Sequence, residues 1–465
     1  MARHITTRAQ VSGYRFGLAR AEHALIRRDV RMLHDPMRSQ SRALLAGVVV
    51  AVLILAGAGV YGLVRPAPSV GDAQIVTDPG GAMFVRVDDV MHPVLNLASA
   101  RLVVGSPAEV KSVSAASLRE HPRGPTLGIP GAPASLPGPA ADGDSAWTVC
   151  DGPDGTLVLA GVDPRAAATD TGVFVSYDDE RWLLFTDRHG DVPVPVKAKV
   201  DTTRVEVMRA MGLEGVEPRP VSAALLDVFP ERAELAVPDV PSRGAPGPLG
   251  ATVGTVVRTA TVDGAYAYRV VLVDGVQQVP ETAADMLLSV DADIAPTVRD
   301  VAPAELTTVP VVDRLPVGHF PDAAPTLRGG ADAVVCRHWA RGRDDAAADE
   351  RLVVADRWPV PGGRTPVRLG SADGLAGPGL DAVYLAPGTA EYVALTGIRA
   401  DSPLAGQRIL VSDTGIRHRL AGEDAATSLG LSDAPVRAPW SVVSLIPEGP
   451  ELSRVGALTM RDVVR

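Results

Sequence analysis

The sequence predicts an α+β protein, mostly β, in which a single N-terminal transmembrane helix precedes a large extracytoplasmic region of four hairpin-helix repeats around a β core. Three observations point there. An uncharged run of twenty-two residues, Ala43 to Val64, lies between Arg42 and Arg65. Four later segments alternate apolar and polar residues about an Asp-containing turn. Forty-six Gly and forty Pro leave few places for a long uninterrupted helix, so short strands and many turns are expected.

Residues 1–42 read as a cytoplasmic basic amphipathic helix. Thr7 and Gln10 have capping-box spacing. Val11, Tyr14, Leu18, Ala21, Leu25 and Met32 then recur in steps of three and four, forming one apolar face that ends before Asp35-Pro36. Tyr14, Leu18 and Leu25 are the candidate partner-docking face. A basic helix of this kind also suits the surface of an anionic bilayer, which stands as the second reading.

Residues 43–64 read as the transmembrane helix. At about 1.5 Å per residue the run reaches roughly 33 Å, the thickness of a hydrocarbon core. A buried core helix is rarely this long with arginine at both ends. Ala56-Gly57-Ala58 has the look of a signal-peptide cleavage site, but the forty-two-residue lead exceeds a signal peptide's short basic segment. Arg27-Arg28 is followed by Asp29, Val30 and Arg31 rather than the apolar pair of a twin-arginine signal. Residues 1–42 hold nine Arg, no Lys and three acids, and such loops stay in the cytoplasm. The whole chain carries −10, so the part after residue 42 carries −16 and is placed outside.

Residues 65–465 form that extracytoplasmic region. The segments "MFVRVDDVMHPV", "VFVSYDDERWLL", "YRVVLVDGVQQV" and "ILVSDTGIRHRL" each read as a hairpin. A second signature follows: "VSAASLREHP" from Val113, "VSAALLDVFP" from Val221 and "VAPAELTTVP" from Val301, with "APWSVVSLIP" from Ala438 as a degenerate fourth. From turn Asp to closing Pro the spans are 34, 52, 36 and 34 residues, so the second copy is expected to hold an insertion. Helices are expected between the two signatures, such as "DTTRVEVMRAMGL", with Asp201 capping its first turn. The repeats fall at about 75–125, 171–235, 266–312 and 405–450, and the β-core segments at about 146–162, 247–262, 332–355 and 380–395. "RPAPSVGDA" and "RGPTLGIPGAPASLPGPAADGD" are Pro/Gly-rich connectors.

The two cysteines, Cys150 in "WTVC" and Cys336 in "AVVCRHW", sit in short apolar runs that read as buried strands. Outside the cytoplasm a Cys150–Cys336 disulfide is the natural outcome. Two separate buried thiols are the alternative.

Little else in the sequence carries chemistry. The chain is acidic with only three lysines, Lys111, Lys197 and Lys199, which argues against nucleic acid as a partner. No Gly-x4-Gly-Lys-Ser/Thr loop and no His-Glu-x-x-His occur. Two distant cysteines without clustered histidines lack metal-ligand spacing. "GDSAW" around Ser145 lacks the glycines of a nucleophile loop. Asp-Thr-Gly occurs at Asp170 and Asp413, which brings paired aspartates to mind, but Val173 and Ile416 follow where Ser or Thr would be wanted, and turn chemistry explains both. No catalytic residue, cofactor or metal is expected.

The opening "QVSGYRFGLARAEHALIRRDVRMLHDPMRSQSRALLAG" closely resembles the N-terminus of EccB, a membrane component of the type VII (ESX) secretion systems of actinobacteria. The resemblance runs through the membrane segment and "HPVLNLASARLVVG" into the two-cysteine outer region, more loosely after about residue 130. It implies one inner-membrane helix, an outer part with repeat domains around a β core, homo-oligomerisation within a larger complex, and partners of the EccC, EccD, EccE and mycosin types in the export of small WXG proteins. The cell wall is a further candidate contact. Some family members are labelled ATPases; no recognisable nucleotide loop occurs here, so that activity is carried over to no residue. The expected function is a structural membrane subunit of a secretion machine; the alternatives are a membrane-tethered hydrolase, ATPase or protease, and a cell-wall-binding anchor.

Overall fold

The computed structural model of the chain describes residues 7–28, 30, 36–64, 69–136, 144–164, 170–262, 264–290, 298–330, 333–374, 379–431 and 434–462. The chain divides into two units, Met1–Ser69 and Val70–Arg465.

The first unit holds helix α1, Arg8–Arg27, and helix α2, Pro36–Val64. Thr7 caps α1. Its hydroxyl accepts from the Gln10 N–H at 3.4 Å while the Gln10 side chain accepts from the Thr7 N–H at 2.9 Å. The helix stops at Arg27 because Arg28 turns left-handed, with φ 56°. The apolar face was expected to continue to Met32, which lies outside the described residues.

The second unit is mostly β. Three four-stranded sheets share one strand order. In the first it runs Val90–Pro93, Met83–Val87, Ile75–Thr77, Val110–Ser112. In the third sheet along the chain it runs Gly275–Val279, Tyr266–Leu272, Val256–Ala260, Arg299–Asp300. In the fourth it runs Arg417–Arg419, Arg408–Ser412, Ala390–Thr396, Val436–Pro439. Three antiparallel strands follow one another along the chain, and a fourth returns parallel after a crossover. The first sheet's second turn shows the local cause. Asp88 and Asp89 both have positive φ, 48° and 64°, which a two-residue hairpin turn demands and Asp tolerates. Helices Leu97–Val104, Glu281–Val290 and Glu423–Leu429 fill the crossovers.

The second sheet is larger, ordered Arg219–Pro220, Thr171–Tyr177, Glu180–Asp187, Val194–Val200, Glu231–Leu235, with Thr326–Leu327 also pairing with Thr171–Tyr177. After each crossover comes the same device: a parallel strand, a helix of one turn, and a proline whose carbonyl takes a backbone N–H from the third strand. The one-turn helices are Ala115–Arg119, Ala223–Asp227, Pro303–Leu306 and Trp440–Val443. The bonds are Met91 N to Pro122 O (2.9 Å), Lys197 N to Pro230 O (3.0 Å), Val276 N to Pro310 O (2.9 Å) and Arg417 N to Pro447 O (3.0 Å).

These bonds correct the sequence reading of the second segment. Between bonded partners the spans are 31, 33, 34 and 30 residues, so no insertion exists. The hairpin at Asp178 joins the first and second strands of its sheet, whereas those at Asp88, Asp274 and Asp413 join the second and third. Period-two alternation is alike on either side of both turns and cannot tell them apart. Asp201 is also corrected. The helix is Val205–Ala210, its N-cap Arg204 makes no side-chain cap bond, and Asp201 instead accepts from the Thr203 N–H at 3.1 Å one turn earlier.

A six-stranded central sheet orders Asp349–Ala355, Val334–Gly342, Asp144–Gly152, Gly155–Ala160, Ala382–Tyr384, Val367–Arg368. Gly155–Ala160 is buried along its whole length, as a central strand with both faces covered must be. Two segments assigned to the β core belong elsewhere: Val256–Ala260 within 247–262 is in the third sheet, and Ala390–Thr396, overlapping 380–395, is in the fourth. The connector read from Arg123 contributes Thr126–Leu127 to a two-stranded sheet with Met460–Arg461, and its residues 137–143 lie outside the described ones.

The cores show how the sheets pack. Phe174, Leu183, Phe185 and Met211 of the second sheet's region share one core with Val270 and Leu287 of the third. Ile75, Val85 and Leu102 share another with Tyr392, Leu410 and Leu429, joining the first sheet to the fourth. The largest core, with Trp147, Trp182, Phe229 and Trp339, binds the central sheet to the second and fourth. Each such side chain buried contributes about 1.5–3 kcal/mol.

Candidate functional site

Three features carry functional meaning: two exposed apolar helices, a disulfide in the central sheet, and a buried polar network that ties the second sheet to it.

On α1, Tyr14, Leu18 and Leu25 are 72%, 54% and 83% exposed. Phe16 and Ile26, outside the expected face, are exposed as well. In α2 the stretch Arg42–Tyr61 has mean hydropathy 2.7 and none of it is buried. Twenty residues of helix span about 30 Å, enough to cross a bilayer.

Cys150 and Cys336 form a disulfide between adjacent strands, Asp144–Gly152 and Val334–Gly342. Both sulfurs lie in a core with Leu157, Leu159, Val353 and Tyr384.

One strand position beyond Cys150, Asp151 is fully buried. Its Oδ1 accepts from Arg219 Nη2 at 3.0 Å and its Oδ2 from the Ser222 N–H at 2.7 Å. Ser222 also caps the one-turn helix that follows it. Asp381, equally buried, accepts from the N–H groups of Thr156 and Gly374, each at 2.7 Å. A second ion pair joins Arg337 to Glu350 at 2.5 Å, and Arg337 also donates to the Val228 carbonyl. Burial pushes the Glu350 carboxyl above its ordinary range, and Arg337 offsets this only in part. Asp151, Arg219, Asp381, Arg337 and Glu350 were not singled out in the sequence. Asp151 lies 68 residues from Arg219, and Asp381 lies 225 from Thr156, so no local pattern marks either.

The residues that invite a catalytic reading each have structural partners. The Ser145 hydroxyl is buried and accepts from Trp147 Nε1 at 2.8 Å. Asp170 accepts from the Thr326 hydroxyl at 3.1 Å, and Asp413 from the Gly388 N–H at 2.8 Å, so each is tied to a neighbouring segment. Thr148 and His338 share a hydrogen bond of 2.8 Å at Nδ1, while Nε2 lies 3.5 Å from an Asp163 oxygen without a hydrogen bond. Both Thr148 and His338 are fully buried, which denies a substrate access. Burial, with repulsion from Arg351, lowers the imidazole to about 4, so it stays neutral. Among the described residues no three His, Cys, Asp or Glu side chains are grouped to hold a metal.

Comparison with known proteins bears on the whole chain. Residues 3–465 match a family model described as "Type VII secretion system ESX-1, transport TM domain B". "ESX-3 secretion system ATPase EccB3" of Mycolicibacterium smegmatis is 36% identical over 487 residues, covering 99% of this chain and 92% of the relative. "ESX-5 secretion system ATPase EccB5" of Mycobacterium tuberculosis is 33% identical, covering 99% and 94%. Among solved structures, a chain of an intact ESX-5 inner membrane complex superposes with TM-score 0.73 at 32% identity, covering 100% of this chain and 97% of the other. A chain of the EccB3 dimer from the ESX-3 core complex gives 0.70 at 32% identity, covering 83% and 100%.

Proposed function

This chain belongs to the EccB family of type VII secretion membrane proteins, and on that premise we propose how its parts divide the work of a structural subunit. It serves as a membrane component of an ESX-type inner-membrane complex, in which it assembles with further copies. The observation that carries this is the pairing of a bare apolar helix, Arg42–Tyr61, with a large β unit in which no accessible catalytic constellation occurs among the described residues.

In this reading α2 anchors the chain, the arginines of residues 1–42 hold the N-terminus in the cytoplasm, and the β unit stands outside. Helix α1 docks through Tyr14, Leu18 and Leu25 onto a cytosolic part of another subunit, with EccC, EccD and EccE types as candidates and a mycosin-type protease as the candidate outside. The first, second, third and fourth sheets are four copies of one unit arranged about the central sheet. The shared closing-proline bond supports this, since it recurs even where "APWSVVSLIP" has lost most of the sequence signature. The copies and the central sheet form the surface through which the chain oligomerises, with the cell wall as a further contact.

The relatives are named as ATPases, and that activity is carried over to no residue among those described. Lys197 and Lys199 lie over the Trp182 ring, each 5.1 Å from its centre, and Lys111 is on an edge strand. The test is a reporter active only outside the cytoplasm, fused at Arg465, combined with co-purification of the solubilised complex. A silent but stable fusion overturns the orientation, and a chain that purifies alone from intact membranes overturns the subunit role.

A further inference from the structure

We propose that His189 is a pH-dependent latch between the second and third sheets: as an imidazolium it bridges Asp187 and Asp322 and holds down the linker that leaves the third sheet. His189 lies in the turn between Glu180–Asp187 and Val194–Val200. Its backbone N–H and its Nδ1 both face Asp187 Oδ1, at 3.0 and 3.1 Å. Its Nε2 faces Asp322 Oδ1 at 3.3 Å. A neutral imidazole carries one ring proton and donates to one carboxylate only, so the second nitrogen would meet an oxygen lone pair with its own. Only the charged ring satisfies both contacts.

The two carboxylates are fixed from different sides. Burial alone would raise the Asp187 carboxyl, but the His189 N–H, the Arg232 guanidinium and the imidazole together hold it below the usual range, so it remains an anion. Arg232 Nε donates to Asp187 Oδ2 at 2.8 Å, anchoring this end to the outer strand Glu231–Leu235. At the other end the Asp322 carbonyl accepts from the Glu281 N–H at 2.9 Å, and the neighbouring Pro321 carbonyl accepts from the Thr282 hydroxyl at 2.6 Å. Asp322 is thus tied by its backbone to the helix of the third sheet and by its side chain to the turn of the second. From there the linker runs to Thr326–Leu327, which pairs with Thr171–Gly172. Turn and linker border a partly open cavity of about 170 Å³. The charged groups facing it are Asp170 at the start of the second sheet, Asp187, Arg188 and His189 in the turn, and Asp322 on the linker. Arg232 lies behind Asp187, and Glu281 begins the helix behind Asp322. Loss of the ring proton removes the charge that holds Nε2 at ion-pair distance from Asp322, and because Asp322 is the exposed partner it is the one released.

The latch senses the pH of whatever compartment surrounds the β unit, and its test does not depend on which side of the membrane that is. The measurement is amide hydrogen exchange of the full-length, detergent-solubilised chain at about pH 5.5 and 8, the interval in which an imidazole changes charge, each corrected for intrinsic exchange. Residues 316–328 report on the linker and Tyr266–Leu272 serves as the internal control. The wild type should lose about two- to fivefold of its linker protection at the higher pH, the scale of a partly exposed ion pair, while the control strand stays level. His189→Gln should show the weaker protection at both pH values, and so should Asp322→Asn, an exposed substitution that leaves the turn intact. A wild-type linker indifferent to pH overturns the latch. So does a pH response that survives in either variant, since in Asp322→Asn it would mean that His189 acts through Asp187 alone.

Discussion

Cys150 and Cys336 stand directly opposite one another on neighbouring antiparallel strands of the central sheet, their Cα atoms 4.0 Å apart. Residues 186 positions apart in sequence are therefore cross-strand neighbours at the centre of the β unit. The ladder aligns them once folded, so the covalent bond acts chiefly on the unfolded chain. Chain-entropy reasoning puts its contribution at about 5 kcal/mol for a loop this long. Replacing both by Ser should lower the denaturant midpoint of the solubilised protein while membrane insertion is unchanged. Non-reducing peptide mapping that finds both thiols free in envelope protein would refute the pairing, and an unchanged midpoint would refute its weight.

Next to it, Asp151 joins Arg219 and the Ser222 N–H in a site without water access. Removing one partner leaves the other charge buried alone, which costs about 3–5 kcal/mol. Asp151→Ala should thus destabilise strongly, and it should loosen the second sheet first, because Ser222 caps the helix that seats it. Changing the pair together, Asp151→Leu with Arg219→Met, should recover most of the loss. Urea unfolding of single and double variants checks this, and a double variant no better than Asp151→Ala alone contradicts it.

These two sites show what was legible in the sequence. Thr7 and Gln10 could be read because a cap is local: both partners lie within one turn. The two cysteine strands could be read because apolar runs with tryptophan nearby mark a buried sheet. Asp151 and Arg219 could not, because nothing within a few residues of either announces a partner 68 positions away. The misplacement of Val256–Ala260 and Ala390–Thr396 has another origin: a strand's composition records that it is buried, not which sheet buries it. The hairpin at Asp178 has the alternation of its counterparts although it lies one strand earlier in its sheet, and the strand pairing together with the Lys197–Pro230 bond shows its true counterpart. For α1, the step of three and four gave the helix, while the exposure of Phe16 and Ile26 shows that apolar side chains are not confined to the inferred face.

Two buried ionisable groups should shape stability against pH in opposite senses. Burial raises Glu391 from its ordinary 4.5 to about 7. Between those values the folded state binds the extra proton, so stability falls as pH rises through the interval, by about 3 kcal/mol in all. His338 is lowered from 6.5 to about 4, so the unfolded state binds the proton first and stability falls as pH drops through that interval, by a similar amount. Melting temperature should therefore pass through a broad region where the two nearly cancel. Glu391→Gln should remove the loss on the alkaline side and raise the melting temperature at about pH 8. A variant with the same pH profile as the wild type would show that Glu391 is solvated or paired.

The exposed side chains of α1 lead to a choice between a protein and a lipid partner. If Tyr14, Leu18 and Leu25 dock on another subunit, each large side chain buried contributes about 1.5–3 kcal/mol, and polar substitution should dissolve the complex. Leu18→Asp with Leu25→Asp leaves α2 and its flanking arginines untouched, so the chain should still insert, orient and fold its β unit. Attachment to anionic lipid has a different sensitivity, at about 1 kcal/mol for each basic residue near the surface, so substituting Arg15, Arg20 and Arg27 would matter more. Co-purification of partner subunits with each variant set separates the two. The docking reading expects the aspartate pair to release the partners and the arginine set to retain them. If the aspartate pair keeps the complex intact while the arginine set disperses it, α1 is a membrane-surface element and the docking face is wrong.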